Sequence, residues 1–229
     1  MPLRFDIITI FPKVFQPILS ESIIRRAREK KKVSIHVQDL RAFAMDKRKT
    51  VDDRPFGGGP GMILMAQPLF DAIKKIKGRK RAKVILTCPT GKPLTQALAR
   101  RLAQEKHLII ICGHYEGVDE RVREALVDET ISIGDYVLTG GEIPAMVLID
   151  CVTRLIPGVL GKAESLVQES FEENLLDHPQ FTRPANFRGM KVPDVLLSGN
   201  HQQVNKWRLE QSRARTQQWR PDLLSRKPG

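Results

Sequence analysis

Apolar residues in this chain fall into short β-branched runs separated by stretches of helical period. Phe5–Ile10 and Val33–Val37 read as strands, as do Val84–Leu86, Leu108–Ile111 and Thr130–Ile133. Between the first two, Phe15, Ile18, Leu19 and Ile23 recur on one helical face. Helices are predicted near Gln67–Ile76, Pro93–Gln104 and Asp119–Val127, and Ile143–Leu155 is apolar nearly all round, as a buried helix would be. Strands interleaved with helices predict an α/β fold: a mostly parallel sheet with helices on both faces. A long polar loop, Asp46 to Gly61, interrupts the alternation. After Gly161 the character changes. Gly161 to Asn174 is polar and acidic without a clear period, and from Leu175 the chain turns proline-rich, then helical and basic. The expected organisation is an α/β domain over residues 1–160, a linker over 161–174 and a small, mainly helical basic domain over 175–229.

Three predicted strands end in permissive loops. Leu86 leads into Cys88-Pro89-Thr90-Gly91, Ile111 into Gly113-His114-Tyr115-Glu116-Gly117, and Ile133 into Gly134 and the pair Gly140-Gly141 before Pro144 opens a helix. Open α/β sheets bind small ligands at the carboxyl ends of their strands. A glycine there lets the backbone come close to a ligand. One shared pocket is expected, with ordinary strand-to-helix turns as the competing reading.

Charge narrows what such a pocket serves. The 229 residues carry 38 Lys and Arg against 26 Asp and Glu, a formal charge of +12. An excess of this size favours a polyanionic partner, because each phosphate contact releases condensed counterions. The excess is clustered in Arg25–Lys32, in Lys74–Lys83, and in Asn200–Gly229, where Trp207 and Trp219 are interleaved. One such run is usually a solvated face; three move the balance to nucleic acid. Cys88, Cys112 and Cys151 lack metal-like spacing and read as buried, reduced thiols of a cytosolic protein. Neither a signal peptide nor an apolar run of the ~20 residues that span a membrane is apparent. The loop Gly57–Gly61 is not followed by Gly-Lys-Ser/Thr, and no strand leads into GxGxxG, so the usual nucleotide signatures are missing.

Five segments carry a resemblance: Asp52–Met62 (DDRPFGGGPGM), Cys112–Arg121 (CGHYEGVDER), Ile133–Glu142 (IGDYVLTGGE), Arg154–Gly161 (RLIPGVLG) and Leu175–Pro184 (LLDHPQFTRP). In this order they resemble the bacterial tRNA (guanine-37, nitrogen 1) methyltransferases, and the similarity runs from the first strand to about Arg208. The resemblance implies a knotted (SPOUT-type) methyltransferase, with a trefoil knot in the C-terminal part of the α/β domain. It also implies a cytoplasmic homodimer whose sites are shared between subunits, and a substrate guanosine just 3′ of the anticodon that follows another guanosine. S-adenosylmethionine would contact Leu86, Pro89, Gly113, Tyr115, Glu116, Ile133, Gly134, Asp135, Tyr136, Val137, Leu138, Gly140, Gly141 and Pro144. Assistance by Mg2+ is left open.

Nitrogen 1 of guanine carries a proton, so a base should remove it as the methyl arrives, while a cation stabilises charge building on the neighbouring oxygen. By family position the base is Glu169, where the family commonly has aspartate, and the cation is Arg154. Asp177 is the reserve base or a guanine-binding acid; without the resemblance it would read as a helix cap. His114 stands where the family usually has arginine. The basic segment with Lys206, Arg208, Arg213 and Arg215 is expected to grip tRNA phosphates, and Trp207 to pack against its own domain. The alternatives are a knotted methyltransferase for another RNA site, or a non-enzymatic RNA-binding protein with a vestigial cofactor pocket.

Overall fold

The computed structural model describes residues 2–161 and 169–225. The chain divides into two compact units, Met1–Gly161 and Lys162–Gly229. Residues 162–168 of the expected linker lie outside the described part.

The first unit runs β1 (Leu3–Thr9), α1 (Gln16–Leu19), α2 (Ser22–Glu29), β2 (Val33–Asp39), β3 (Asp52–Asp53), β4 (Ile63–Leu64), α3 (Ala66–Lys77), β5 (Lys83–Pro93), α4 (Gln96–Ala103), β6 (His107–Cys112), α5 (Glu120–Leu126), β7 (Glu129–Ser132) and α6 (Glu142–Thr153). Five strands form one sheet in the order β2-β1-β6-β5-β7. Every pairing in it is parallel. β6 shows why its sequence is a continuous apolar run: successive side chains point to opposite faces, and both faces are covered. Leu108 and Ile110 join Phe5, Ile7, Leu102, Leu148 and Val152 in one apolar cluster. Ile109 and Ile111 join Ile8, Val84, Leu86, Leu69, Ile73 and Val122 in the other. The α/β architecture expected from the alternation is the one observed.

Three expectations are corrected. The single helix expected around Phe15 to Ile23 is three pieces: a 3-10 turn Pro12–Phe15, then α1, then α2. Pro12 and Pro17 each sit in the first two positions of a piece. Proline has no N–H to continue a preceding helix but fits a first turn, so Pro17 separates the 3-10 turn from α1; α1 and α2 are parted where Glu21 is extended and Ser22 takes a positive φ. Phe15 and Leu19 are buried, whereas Ile18 is exposed. The helix expected from Pro93 starts later because β5 extends to Pro93, and Thr95 caps α4 by accepting from the Leu98 N–H at 3.2 Å. The polar loop from Asp46 is also not wholly irregular, since Asp52–Asp53 pairs antiparallel with Ile63–Leu64.

A buried polar group crosses the sheet. Asp6 of β1 is fully buried, and its carboxylate accepts from Arg4 Nε at 2.6 Å and Gln38 Nε2 at 3.1 Å, with His107 Nε2 at 2.7 Å. Burial alone would raise its pKa, but hydrogen bonds from Arg4, His107 and Gln38 outweigh it and hold the carboxyl below its usual range. Burial lowers the pKa of His107, partly offset by Asp6. Both shifts are downward, so both groups contribute stability that is present above their unfolded pKa values and lost as pH falls. Thermal stability should therefore decline below about pH 6.5 as unfolded histidine takes up a proton, and more steeply through the carboxylate range. Asp6→Asn should cost roughly 3 kcal/mol at neutral pH and flatten the acidic limb. A pH series of melting temperatures for both proteins checks this; parallel curves would remove Asp6 from the account.

The described part of the second unit holds β8 (Asn186–Phe187) antiparallel to β9 (Met190–Lys191), then α7 (Asp194–Leu197), α8 (His201–Trp219) and α9 (Pro221–Leu224). Asn200 caps α8 by accepting from the Gln203 N–H. Thr216, buried in α8, accepts from the Leu176 N–H at 2.8 Å and donates to the Ser212 carbonyl at 2.7 Å, which fastens the helix to the segment around Leu176.

Candidate active site

In a parallel sheet all carboxyl ends lie at one edge, and there the ends of β5, β6 and β7 surround a cleft of about 570 Å³. Every cofactor candidate named above lines it except Asp135, which is exposed in the same loop. The three loops are laced together. Gly141 N–H donates to the Gly113 carbonyl at 2.7 Å, and Thr87 Oγ1 lies 3.2 Å from the carbonyls of both Ile111 and Gly141. A Cβ on Gly141 would come within 2.7 Å of Gly113 N and 2.8 Å of Cys112 Cα, so only glycine lets these strands meet. Glu142 follows at the start of α6. Its buried carboxylate accepts from Thr9 Oγ1 at 2.7 Å and so ties the loop to the end of β1.

His114 lies edge-on between Phe11 and Tyr115, with ring centroids 5.0 Å and 4.6 Å away, and its Nδ1 is buried without a hydrogen-bond partner among the described residues. Cys88 lines the cleft and Cys151 is half-buried, which corrects their reading as buried thiols; Cys112 is buried, and burial with the nearby Glu142 charge pushes its pKa up. All three cysteines are free. Sequence reading missed the place of the glycine loop: a Cβ on Gly61 would meet Glu116 Oε1 at 2.5 Å, and Glu116 N–H donates to the Met62 carbonyl. That loop therefore borders the cleft. Four glycines within five residues, Gly57, Gly58, Gly59 and Gly61, were the available signal, and all four take positive φ in the structure.

The family model described as tRNA (Guanine-1)-methyltransferase TrmD matches residues 3–226. The chain belongs to this family. It is 56% identical over 227 residues to a tRNA (guanine-N(1)-)-methyltransferase of Geobacillus kaustophilus, covering 99% of this chain and 93% of that one. A protein of the same name from Ruminiclostridium cellulolyticum is 53% identical over 228 residues, covering 99% and 98% of the two chains. One from Listeria innocua is 52% identical over 229 residues, covering 99% and 94%.

In this member of the tRNA (guanine-1)-methyltransferase family, the first unit does not bring its own Arg154 to the cleft. Arg154 caps the C-terminal end of α6, whereas Gly141 and Pro144 at the other end line the cleft. Ten residues separate Pro144 from Arg154, so the Arg154 backbone stands about 15 Å along the helix from the end that lines the cleft. Glu169 and Asp177 belong to the second unit. Glu169 is half-buried and is followed by a tightly wound turn in which Phe171, Glu173 and Asn174 all take positive φ. Non-glycine residues held there store strain, which tends to gather at functional sites. No helix follows Asp177 before Asp194, so it is not a helix cap. Instead its carboxylate accepts from the His178 N–H at 2.7 Å, has His178 Nδ1 at 2.8 Å, and accepts from Gln180 Nε2 at 3.2 Å.

The RNA candidates on α8 divide between two faces. Residues seven apart share a helix face and residues two apart do not. Lys206 and Arg213 are exposed. Arg208 and Arg215 are half-buried on the other side, and Arg215 donates to the Asp177 carbonyl at 3.1 Å and lies over Trp219. Trp207 packs near Phe181, 6.3 Å between centroids, as expected of a residue held by its own unit. In the first unit, Lys30 to Lys32 precede β2 and Lys77 to Ala82 precede β5, so the ends of two basic runs sit at the amino edge of the sheet, roughly a strand length of 20 Å from the cleft. Among the described residues no group of three or more His, Cys, Asp or Glu could hold a metal ion, and no helix is long and apolar enough to cross a membrane.

Proposed function

We propose that the protein transfers a methyl group from S-adenosylmethionine to nitrogen 1 of guanosine 37 in tRNA, in the cytoplasm. The observation that carries this is the cleft itself: three strand ends joined through Gly113 and Gly141, presenting backbone to a ligand in a volume suited to a nucleoside-sized molecule. Leu86, Leu138 and Pro144 offer apolar wall for the adenosine part, and the 113–116 and 134–141 loops offer polar backbone. S-adenosylmethionine, when bound, supplies an activated sulfonium methyl.

The rest of the chemistry falls to side chains. Glu169 accepts the proton from nitrogen 1, and Arg154 stabilises the charge developing on the guanine oxygen. Because Arg154 is a helix length from its own cleft, the reading requires a second copy to complete each site. An exposed apolar set on the first unit supports such a partner: Ile143 and Val147 lie one turn apart on α6, which packs on the Pro12–Phe15 turn, and Val137 in the cleft loop is 86% exposed. The trefoil knot belongs to the same reading. The close crossing of Gly91 over the backbone of Thr130 and Ile131 supports it. Residues 175–229 serve as the basic tRNA-binding part, with Lys206 and Arg213 facing phosphate.

Transfer of labelled methyl to unmodified tRNA carrying guanosines at positions 36 and 37 tests the proposal. Label recovered as 1-methylguanosine at position 37 is expected. Cofactor binding without label on any tRNA would favour an RNA-binding protein with a vestigial pocket. Label elsewhere would favour a related enzyme with a different target.

A further inference from the structure

The second unit contains a cavity of about 430 Å³ of its own, between the segment His178–Arg183, the α7 region and the inner face of α8. Its floor is aliphatic, formed by Val192, Leu196 and Val204. Phe181, 48% exposed, forms one wall. The polar groups are of a particular kind. Arg208 lines the cavity, and its Nε is buried with no hydrogen-bond partner among the described residues. A buried guanidinium N–H left without an acceptor is costly and calls for an explanation such as a missing ligand.

The neighbouring polar groups are fixed. His178 is buried, and burial, together with the charges of Arg208 and Arg215, lowers its pKa against the pull of Asp177. Its neutral ring donates from Nδ1 to Asp177, leaving Nε2 to accept from Gln180 Nε2 at 3.2 Å. The Gln180 amide nitrogen thus serves both Asp177 and His178, which fixes the orientation of its carbonyl. The cavity therefore combines an aromatic wall, an aliphatic floor, a cationic donor without an acceptor and an oriented amide. Arg183 and Thr182 also line the cavity, so an anion would find polar partners there, but only a planar heterocycle with hydrogen-bonding edges uses the Phe181 face and the aliphatic floor as well.

We infer that this cavity receives an unstacked nucleobase of the anticodon loop other than the methylated guanosine, stacked on Phe181 with its edge on Arg208. The inference rests on tRNA being the substrate. It assigns Arg208 to a base rather than to the phosphates it was expected to grip.

The test uses the full chain with an anticodon stem-loop RNA and a series in which one loop nucleotide at a time is abasic. Arg208→Lys keeps the charge but removes the planar donor; Phe181→Ala removes the wall. Each should weaken binding of the intact RNA about tenfold, the scale of a lost base stack. Each loss should vanish on one and the same abasic RNA, at a position other than the target. Cofactor affinity and melting temperature of Phe181→Ala should match those of the parent protein. Arg208→Lys binding as tightly as the parent, equal losses on every abasic RNA, or loss of the effect only when the target itself is abasic would each overturn the assignment. Failure of the parent protein to methylate any tRNA while these losses persist would count against the proposed reaction and not against the base pocket.

Discussion

Alanine at position 91 is expected to lower the melting temperature by about 6–12 °C and to weaken S-adenosylmethionine binding in the same variant. A Cβ on Gly91 would stand 2.5 Å from Ile131 N and 2.6 Å from the carbonyl carbons of Thr130 and Ile131. These are backbone atoms of β7, held on β5 by parallel pairing that shifts register between Thr87 and Lys92. No side chain is available to move aside, so one strand must be displaced. Overpacking of this kind costs about 3 kcal/mol. The displaced segment includes Cys88, Pro89 and Thr90, which line the cleft, so fold and ligand site are damaged together. Gly161, with no atom of the described residues within 4 Å of its Cβ position, is the control, and Gly161→Ala should melt like the parent. Scanning calorimetry with and without the cofactor separates the two effects. A Gly91→Ala variant that melts and binds normally would mean that the strands cross with more room than described.

Glu169→Gln is expected to reduce methyl transfer by about 10²- to 10⁴-fold while leaving cofactor affinity where it was. The amide is nearly isosteric but accepts no proton, and the cofactor candidates all belong to the first unit, which the substitution leaves unchanged. Single-turnover transfer and calorimetric cofactor binding, measured on the same preparation, check both halves. Glu169→Asp should retain much of the rate, since aspartate is common at this family position and keeps the carboxylate. Full turnover by Glu169→Gln would pass the proton to another group. Asp177, whose carboxylate already accepts from His178 and Gln180, would be the next to test.

The sheet was legible because burial on both faces leaves a strong mark. Leu108–Ile111 could only be an inner strand, and Ile143–Leu155 only a covered helix. Strand-end glycines pointed to the cleft because a pocket floored by backbone needs residues without side chains. What escaped depended on distance along the chain. Nothing near Gly61 announces that it abuts Glu116, and nothing in the spacing of Arg154 reveals that α6 carries it away from the cleft. The segmented start of the first helical run was missed because Phe15, Ile18, Leu19 and Ile23 keep a helical period across the break at Glu21 and Ser22. Arg208 and Arg213 look equivalent in a list of basic residues. Their positions on α8 separate them.

The strand order also bears on how the chain is made. β1 lies between β2, which follows it closely, and β6, which begins at His107. Its second neighbour is thus synthesised about 100 residues later, some 5–20 s at ribosomal speeds. Until then one edge of an apolar strand has no partner, and β5 has no sheet to join. Translation speed between the second strand and residue 107 therefore becomes a determinant of how much of the product folds rather than aggregates.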